Sequence, residues 1–133
     1  MAKKILVVDD IPFVRETISE ILRSAHYLIV GEASDGLEAI EKYFKLKPDL
    51  VTMDVVMPKM SGVEATRKIV KQDRAARIVI VSAMGQENLI MEAIAAGAKD
   101  YILKPFTADD ILKTVQHLLA GVADESETKR AGS

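Results

Sequence analysis

Short uninterrupted apolar runs alternate along this chain with segments whose apolar residues recur every three or four positions. The runs are Ile5–Val8, Leu28–Val30, Leu50–Met53, Ile78–Val81 and Tyr101–Leu103. They are rich in Val, Ile and Leu, and the first and fourth show no polar alternation, as suits strands covered on both faces in a parallel sheet. Five helices are predicted to follow them. Val14, Ile18, Ile21, Leu22 and Ala25 share one face of the first, with Pro12 in its opening turn. Leu37, Ile40 and Phe44 mark the second, and Ser61-Gly62-Val63-Glu64 opens the third with a capping-box pattern. Ile90, Ala93 and Ile94 give the fourth its apolar face, and Gly97 stops it. The fifth opens at Thr107-Ala108-Asp109-Asp110 and turns Ile111, Val115 and Leu118 inward.

Repeated βα units close into a barrel or stay open as a doubly wound sheet. A barrel needs roughly 250 residues, and this chain has 133. The expected fold is therefore an α/β, doubly wound (βα)5 open parallel sheet of flavodoxin-like type, with helices on both faces. Strand order 2-1-3-4-5 is the common one at this size, and it puts a switch point between strands 1 and 3, where ligands bind at the carboxyl ends. One domain is expected over residues 1–121. Residues 122–133, polar, mixed in charge and without apolar period, read as a flexible tail or linker stub.

Composition narrows the function classes. With 49% hydrophobic and 29% charged residues the chain can build a core. A net charge of −2 supplies no basic excess for a phosphate backbone, which argues against direct nucleic-acid binding. The absence of Cys excludes disulfides, thiolate metal sites and thiol nucleophiles, and two distant histidines, His26 and His117, do not make a metal site. Met1-Ala2-Lys3-Lys4 is followed by too short an apolar run for a signal peptide, and no stretch is long enough to span a bilayer, so a cytoplasmic location away from membranes is expected.

The switch-point rule singles out one region. Strand 1 ends in Asp9-Asp10, strand 3 in Asp54, strand 4 in Ser82 and strand 5 in Lys104-Pro105. In order 2-1-3-4-5 these side chains converge on one edge. Three close carboxylates raise one another's pKa unless a cation intervenes. An all-oxygen donor set favours Mg²⁺, or Mn²⁺ in its place, over zinc or copper. Such an ion, with Lys104 as a second cation and Ser82 as a hydroxyl donor, provides the positioning and neutralisation that phosphoryl transfer requires, and a carboxylate nucleophile gives an aspartyl phosphate. Singly, each residue has a plainer reading: Asp10 as a helix cap, Asp54 as turn chemistry, Ser82 as a loop hydroxyl and Lys104 as a solvated charge. It is their coincidence at one edge that speaks for a site.

The same residues carry a family resemblance. Leu6-Val7-Val8-Asp9-Asp10, Met53-Asp54-Val55-Val56-Met57-Pro58-Lys59-Met60-Ser61-Gly62, Val81-Ser82-Ala83 and Gly97-Ala98-Lys99-Asp100-Tyr101-Ile102-Leu103-Lys104-Pro105-Phe106 resemble the receiver domain of two-component response regulators, from Lys4 to about Gly121. The short chain is most similar to stand-alone chemotaxis regulators of the CheY type. The resemblance implies Asp54 as phosphoacceptor, with Asp9, Asp10, Asp54 and the backbone carbonyl of Val56 around Mg²⁺. It implies Ser82 on a phosphoryl oxygen, Lys104 paired with the phosphate through a strand end whose bond to Pro105 is typically cis, and Ser82 with Tyr101 as the switch pair. The donor would be a phosphohistidine on a sensor histidine kinase, and the flagellar motor switch a candidate target. The chain would be a phosphoryl acceptor that catalyses its own phosphorylation and dephosphorylation, not an enzyme in the usual sense. Val56 and Met84 depart from the best-known enteric chemotaxis regulator, which has a polar and an acidic side chain there, so its dephosphorylation rate does not carry over.

Three other readings compete. A haloacid-dehalogenase-type phosphatase needs a second acid two residues after the nucleophile, where Val56 stands. A nucleotide-binding flavodoxin-like module needs a glycine-rich phosphate loop after strand 1, where Asp9-Asp10 stands. A receiver cut from a larger regulator, such as a transcription factor or methylesterase, would make the tail the start of a linker. His26 and His117 read as surface or boundary residues.

Overall fold

The computed structural model describes residues 2–120. The tail assigned to 122–133, and the boundary at Gly121, lie outside the described residues. The elements run β1 (Lys4–Val8), α1 (Pro12–Ser24), β2 (Leu28–Ala33), α2 (Gly36–Leu46), β3 (Leu50–Asp54), α3 (Gly62–Gln72), β4 (Ile78–Ala83), α4 (Glu87–Ala96), β5 (Asp100–Lys104) and α5 (Ala108–Ala120). All four strand pairs are parallel, in the expected order β2-β1-β3-β4-β5.

Side-chain alternation divides the core in two. Leu6, Val8, Val51, Met53, Ile78 and Ile80 face a cluster with Ala39 and Tyr43 of α2, Ile69 of α3 and Ala93 of α4. Ile5, Val7, Leu50, Val79 and Val81 face the opposite cluster with Ile18 and Leu22 of α1 and Ile111 and Val115 of α5. The central strands are thus buried on both sides, which is why they read as unbroken apolar runs. The outer strand β5 alternates, with Ile102 buried between exposed Tyr101 and Leu103.

Several boundaries and faces differ from the sequence pattern. β2 continues through Gly31, Glu32 and Ala33, which pair with Leu6, Val7 and Val8. An edge strand meets solvent on one side, so its pairing outlasts its apolar run. Ala25 caps α1 and does not belong to its face. Leu37 and Ile94 are exposed, because α2 and α4 each bury only a narrow stripe against the sheet. In α5 the buried position is Leu119, with Leu118 only partly covered.

Helix starts follow the chemistry of their caps. Ser61 Oγ accepts from the Glu64 N–H at 3.2 Å, but the Glu64 carboxylate turns to Arg67, so half of the expected box forms. At α5 the box is complete: Thr107 Oγ1 accepts from Asp110 N–H at 3.1 Å, and Asp110 Oδ2 accepts from Thr107 N–H at 2.9 Å. Gly62, the first residue of α3, is required by a close approach. A Cβ there would lie 1.9 Å from the carbonyl oxygen of Asp54. Gly62→Ala is therefore expected to push the end of β3 away from α3 and destabilise the fold by about 2 kcal/mol or more, read by urea unfolding.

Candidate functional site

The carboxyl ends of β1, β3 and β5 bring their acidic and basic side chains into one cluster. Asp9 follows the last residue of β1 and is fully buried. Its Oδ1 accepts from the N–H of Ile11 at 2.9 Å, and its Oδ2 lies 3.1 Å from Lys104 Nζ. Asp54 closes β3, 7% exposed, with Oδ1 accepting from Val55 N–H at 2.9 Å and lying 3.4 Å from the same Nζ. Asp10 is the most accessible of the three acids, and one oxygen from each of Asp9, Asp10 and Asp54 lies within 4.8 Å of the others. Asp10 does not cap α1: Ile11 is the N-cap residue, and no side chain caps that end. The plain reading of Asp10 fails on that point, and the carboxylate is left to the cluster.

Electrostatics in this cluster are unbalanced toward negative charge. Burial, and then the neighbouring Asp9 charge, push Asp54 from its ordinary value of 3.8 up to about 6, although Lys104 pulls the other way. Burial alone would lower Lys104, but the Asp54 and Asp9 charges outweigh it and hold its pKa above the ordinary value. One ammonium thus serves two buried carboxylates while Asp10 adds a third negative charge. That arrangement calls for a further cation, and every donor present is an oxygen, which fits a hard divalent ion.

A side chain that sequence reasoning did not find braces the acidic pair. Arg15, on the first turns of α1, donates from Nη1 to the carbonyl oxygen of Asp9 at 2.7 Å and from Nε to Glu32 Oε1 of β2 at 3.1 Å. It clamps the end of β1 between α1 and β2. Its partner at Asp9 is a backbone atom and its partner Glu32 lies on another element, so no local pairing of residue types along the chain announces it.

The profile of the response regulator receiver domain matches residues 5–116. The chain belongs to that family. Among curated relatives, a Thermotoga maritima chemotaxis protein CheY is 48% identical over 115 residues, covering 86% of this chain and 96% of that one. A Bacillus subtilis chemotaxis protein CheY is also 48% identical, over 119 residues, covering 90% and 99%. Among solved structures, a chain of the CheX–CheY–BeF3–Mg²⁺ complex from Borrelia burgdorferi superposes with a TM-score of 0.80 at 33% identity, covering 92% of this chain and 90% of that one. The protein is thus a CheY-like receiver, a phosphoacceptor of two-component signalling, and the phosphatase and nucleotide-binding alternatives fall away.

In this receiver Asp9, Asp10, Asp54 and Lys104 come together as the strand ends require, and the Lys104–Pro105 peptide is cis. Ser82 does not join them in the same way. It is fully buried, and its hydroxyl is bonded to Gln86 Oε1 at 2.7 Å. Val56 is exposed in the loop after β3, and Met84, 76% exposed, stands two residues beyond Ser82. Tyr101 is 46% exposed and pairs with Ile80, two residues before Ser82 on β4 and on the same sheet face. His26 and His117 are exposed, and His26 takes a left-handed turn at φ 70° after α1. Among the described residues no helix is long and apolar enough to cross a membrane.

Proposed function

We propose that Asp54 is the residue that accepts the phosphoryl group, from a phosphohistidine on a sensor histidine kinase, and that the receiver acts in the cytoplasm on a protein target of chemotaxis such as the flagellar motor switch. The observation that carries the assignment is that Asp54, among the described residues, is the one carboxylate at a strand end flanked by both Asp9 and Lys104 and held at a raised pKa. The names of the CheY relatives support the chemotaxis setting.

Asp9, Asp10 and Asp54 would hold Mg²⁺ together with the backbone carbonyl of Val56, the neighbouring Val55 carbonyl being occupied by the Gly62 N–H at 2.8 Å. When bound, the ion neutralises the acids and the phosphoryl oxygens. The chain's own residues do the rest. Asp54 Oδ1 is engaged by Val55 N–H and Lys104, which leaves Oδ2 to attack phosphorus as the bond to the histidine nitrogen breaks. Lys104 is placed to follow the phosphoryl oxygens, and Ser82 to donate to one of them. Incubation with a small phosphodonor and Mg²⁺ should add one phosphoryl group, which peptide mapping places on the segment holding Asp54. Modification elsewhere overturns the assignment.

Neither Val56 nor Met84 offers a polar group to orient water over the phosphorus. Val56→Asn and Met84→Glu are each expected to shorten the phosphoryl lifetime, by about tenfold where the new group reaches the attacking water. Decay of radiolabelled phosphoprotein measures it, and identical half-lives in both variants would show that these positions do not set the rate.

A further inference from the structure

We propose that Gln86 is a positioning residue for the phosphoryl site: it holds the Ser82 hydroxyl away from the site in the unphosphorylated receiver, and a phosphoryl group on Asp54 must take that hydroxyl from it. The inference rests on the reading of Ser82 given above and deepens it.

The hydrogen bonds settle where the Ser82 proton lies. Gln86 Oε1 accepts from the backbone N–H of Ala83 at 2.8 Å, so the atom of the amide that faces the end of β4 is its oxygen. The same oxygen lies 2.7 Å from Ser82 Oγ. Two acceptors do not approach so closely unless a hydrogen lies between them, so the hydroxyl donates to Gln86. Serine has one such hydrogen. It cannot also donate to a phosphoryl oxygen, and the two bonds exclude each other.

The local chain is built to hold this contact. Gly85 stands at φ +90°, a conformation open to glycine, with nothing near its Cα where a side chain would go. That turn brings Gln86 back beneath β4. Gln86 is also the N-cap residue of α4, yet its side chain makes no capping bond to its own helix and spends its oxygen on Ser82 and Ala83 instead. The first turn of α4 is thereby tied to the end of β4.

A charged phosphoryl oxygen is a stronger acceptor than a neutral amide, so phosphorylation draws the hydroxyl over. Gln86 sets how much of that attraction is consumed in breaking the first bond. On release the Gln86 side chain keeps only the Ala83 N–H, and of the three bonds between Gln86 and the end of β4 there remain that one and the Gln86 N–H to the Ala83 carbonyl at 3.3 Å. α4 carries exposed Met91 and Ile94. The state of the site therefore reaches that surface through Gln86 without passing through Tyr101.

The test is titration of the intact receiver with beryllofluoride in the presence of Mg²⁺, followed by fluorine NMR. Gln86→Met, which keeps the length and removes the acceptor, should bind beryllofluoride about three- to tenfold more tightly than wild type, the equivalent of one neutral hydrogen bond no longer broken. Gln86→Ala should act in the same direction. Gln86→Glu keeps an acceptor for both donors and should bind no more tightly than wild type. In a Ser82→Ala background Gln86→Met should change nothing. Unaltered affinity in both Gln86→Met and Gln86→Ala overturns the inference while leaving Asp54 as acceptor. Equal tightening in the Ser82→Ala background overturns it too, since Gln86 would then act through α4 packing. Failure of the wild type itself to bind beryllofluoride overturns the phosphoacceptor reading and the inference together.

Discussion

Asp54→Asn is expected to abolish phosphoryl uptake and, in the same stroke, to make the metal-free receiver more stable above about pH 6. The first effect follows from the loss of the carboxylate that closes β3 between Asp9 and Lys104 and is assigned as the phosphoryl acceptor. The second follows from what the wild-type carboxylate costs. Burial and the Asp9 charge raise Asp54 from 3.8 to about 6, with the attraction of Lys104 already included. An acid whose pKa is higher folded than unfolded binds protons more readily in the folded chain, so stability is lost as pH rises from the unfolded value through the folded one. Below about pH 4 both states are protonated and the carboxyl behaves like the amide. Above about pH 6 the wild type carries a buried charge that the unfolded chain solvates freely. Each tenfold change in proton affinity between the two states is worth about 1.4 kcal/mol, so the difference is about 2–3 kcal/mol, or roughly 5–10 °C in Tm for a domain of this size. Thermal unfolding in chelator, compared between the two proteins at pH 4 and pH 7.5, should show near-equal midpoints at the lower pH and a higher midpoint for Asp54→Asn at the upper one. A gap that does not grow with pH would mean that Asp54 is ionised without penalty.

The parts of this structure that were legible in the sequence are those set by periodicity and topology. Ile5–Val8 and Ile78–Val81 announce doubly covered strands because no polar residue can be tolerated on either face, and the strand order brings Asp9, Asp10, Asp54 and Lys104 to one edge whatever the loops do. Edge elements were less legible. Gly31 and Glu32 break the apolar run before the buried Ala33, so the pattern ends β2 at Val30 although all three pair with β1. Leu37 and Ile94 obey helical spacing yet lie outside the stripe that meets the sheet. The side chains that adjust the site were not legible at all. Arg15 grips a backbone carbonyl, and Gln86 reaches Ser82 only because Gly85 turns the chain back, so each depends on a local path that residue types do not encode. Ser82 shows the same limit from the other side. Its place at the end of β4 follows from the pattern, but the direction of its hydroxyl does not.

Lys104→Met should weaken the metal-free fold at neutral pH and strengthen Mg²⁺ binding. Lys104 Nζ is the sole cation, among the described residues, within reach of both buried acids, at 3.1 Å from Asp9 and 3.4 Å from Asp54. Methionine preserves the length of the stem and its packing, so the variant removes charge more than volume. Asp9, fully buried, keeps only the Ile11 N–H. Removing one member of a buried ion pair typically costs about 3–5 kcal/mol because the other is left uncompensated. Here the loss should fall near the lower end, since Lys104 is partly exposed and one carboxyl can take up a proton. The loss should shrink as pH falls toward 5, when protonation relieves the same repulsion. Metal binding moves the other way. A fixed positive charge beside the acids repels a divalent cation, so its removal should raise Mg²⁺ affinity by about three- to tenfold, and saturating Mg²⁺ should restore more stability to the variant than it adds to the wild type. Urea unfolding with and without Mg²⁺, together with calorimetric titration of the metal, reads both quantities. Lower Mg²⁺ affinity in Lys104→Met would show that the lysine orders the acids for the ion more than it competes with it.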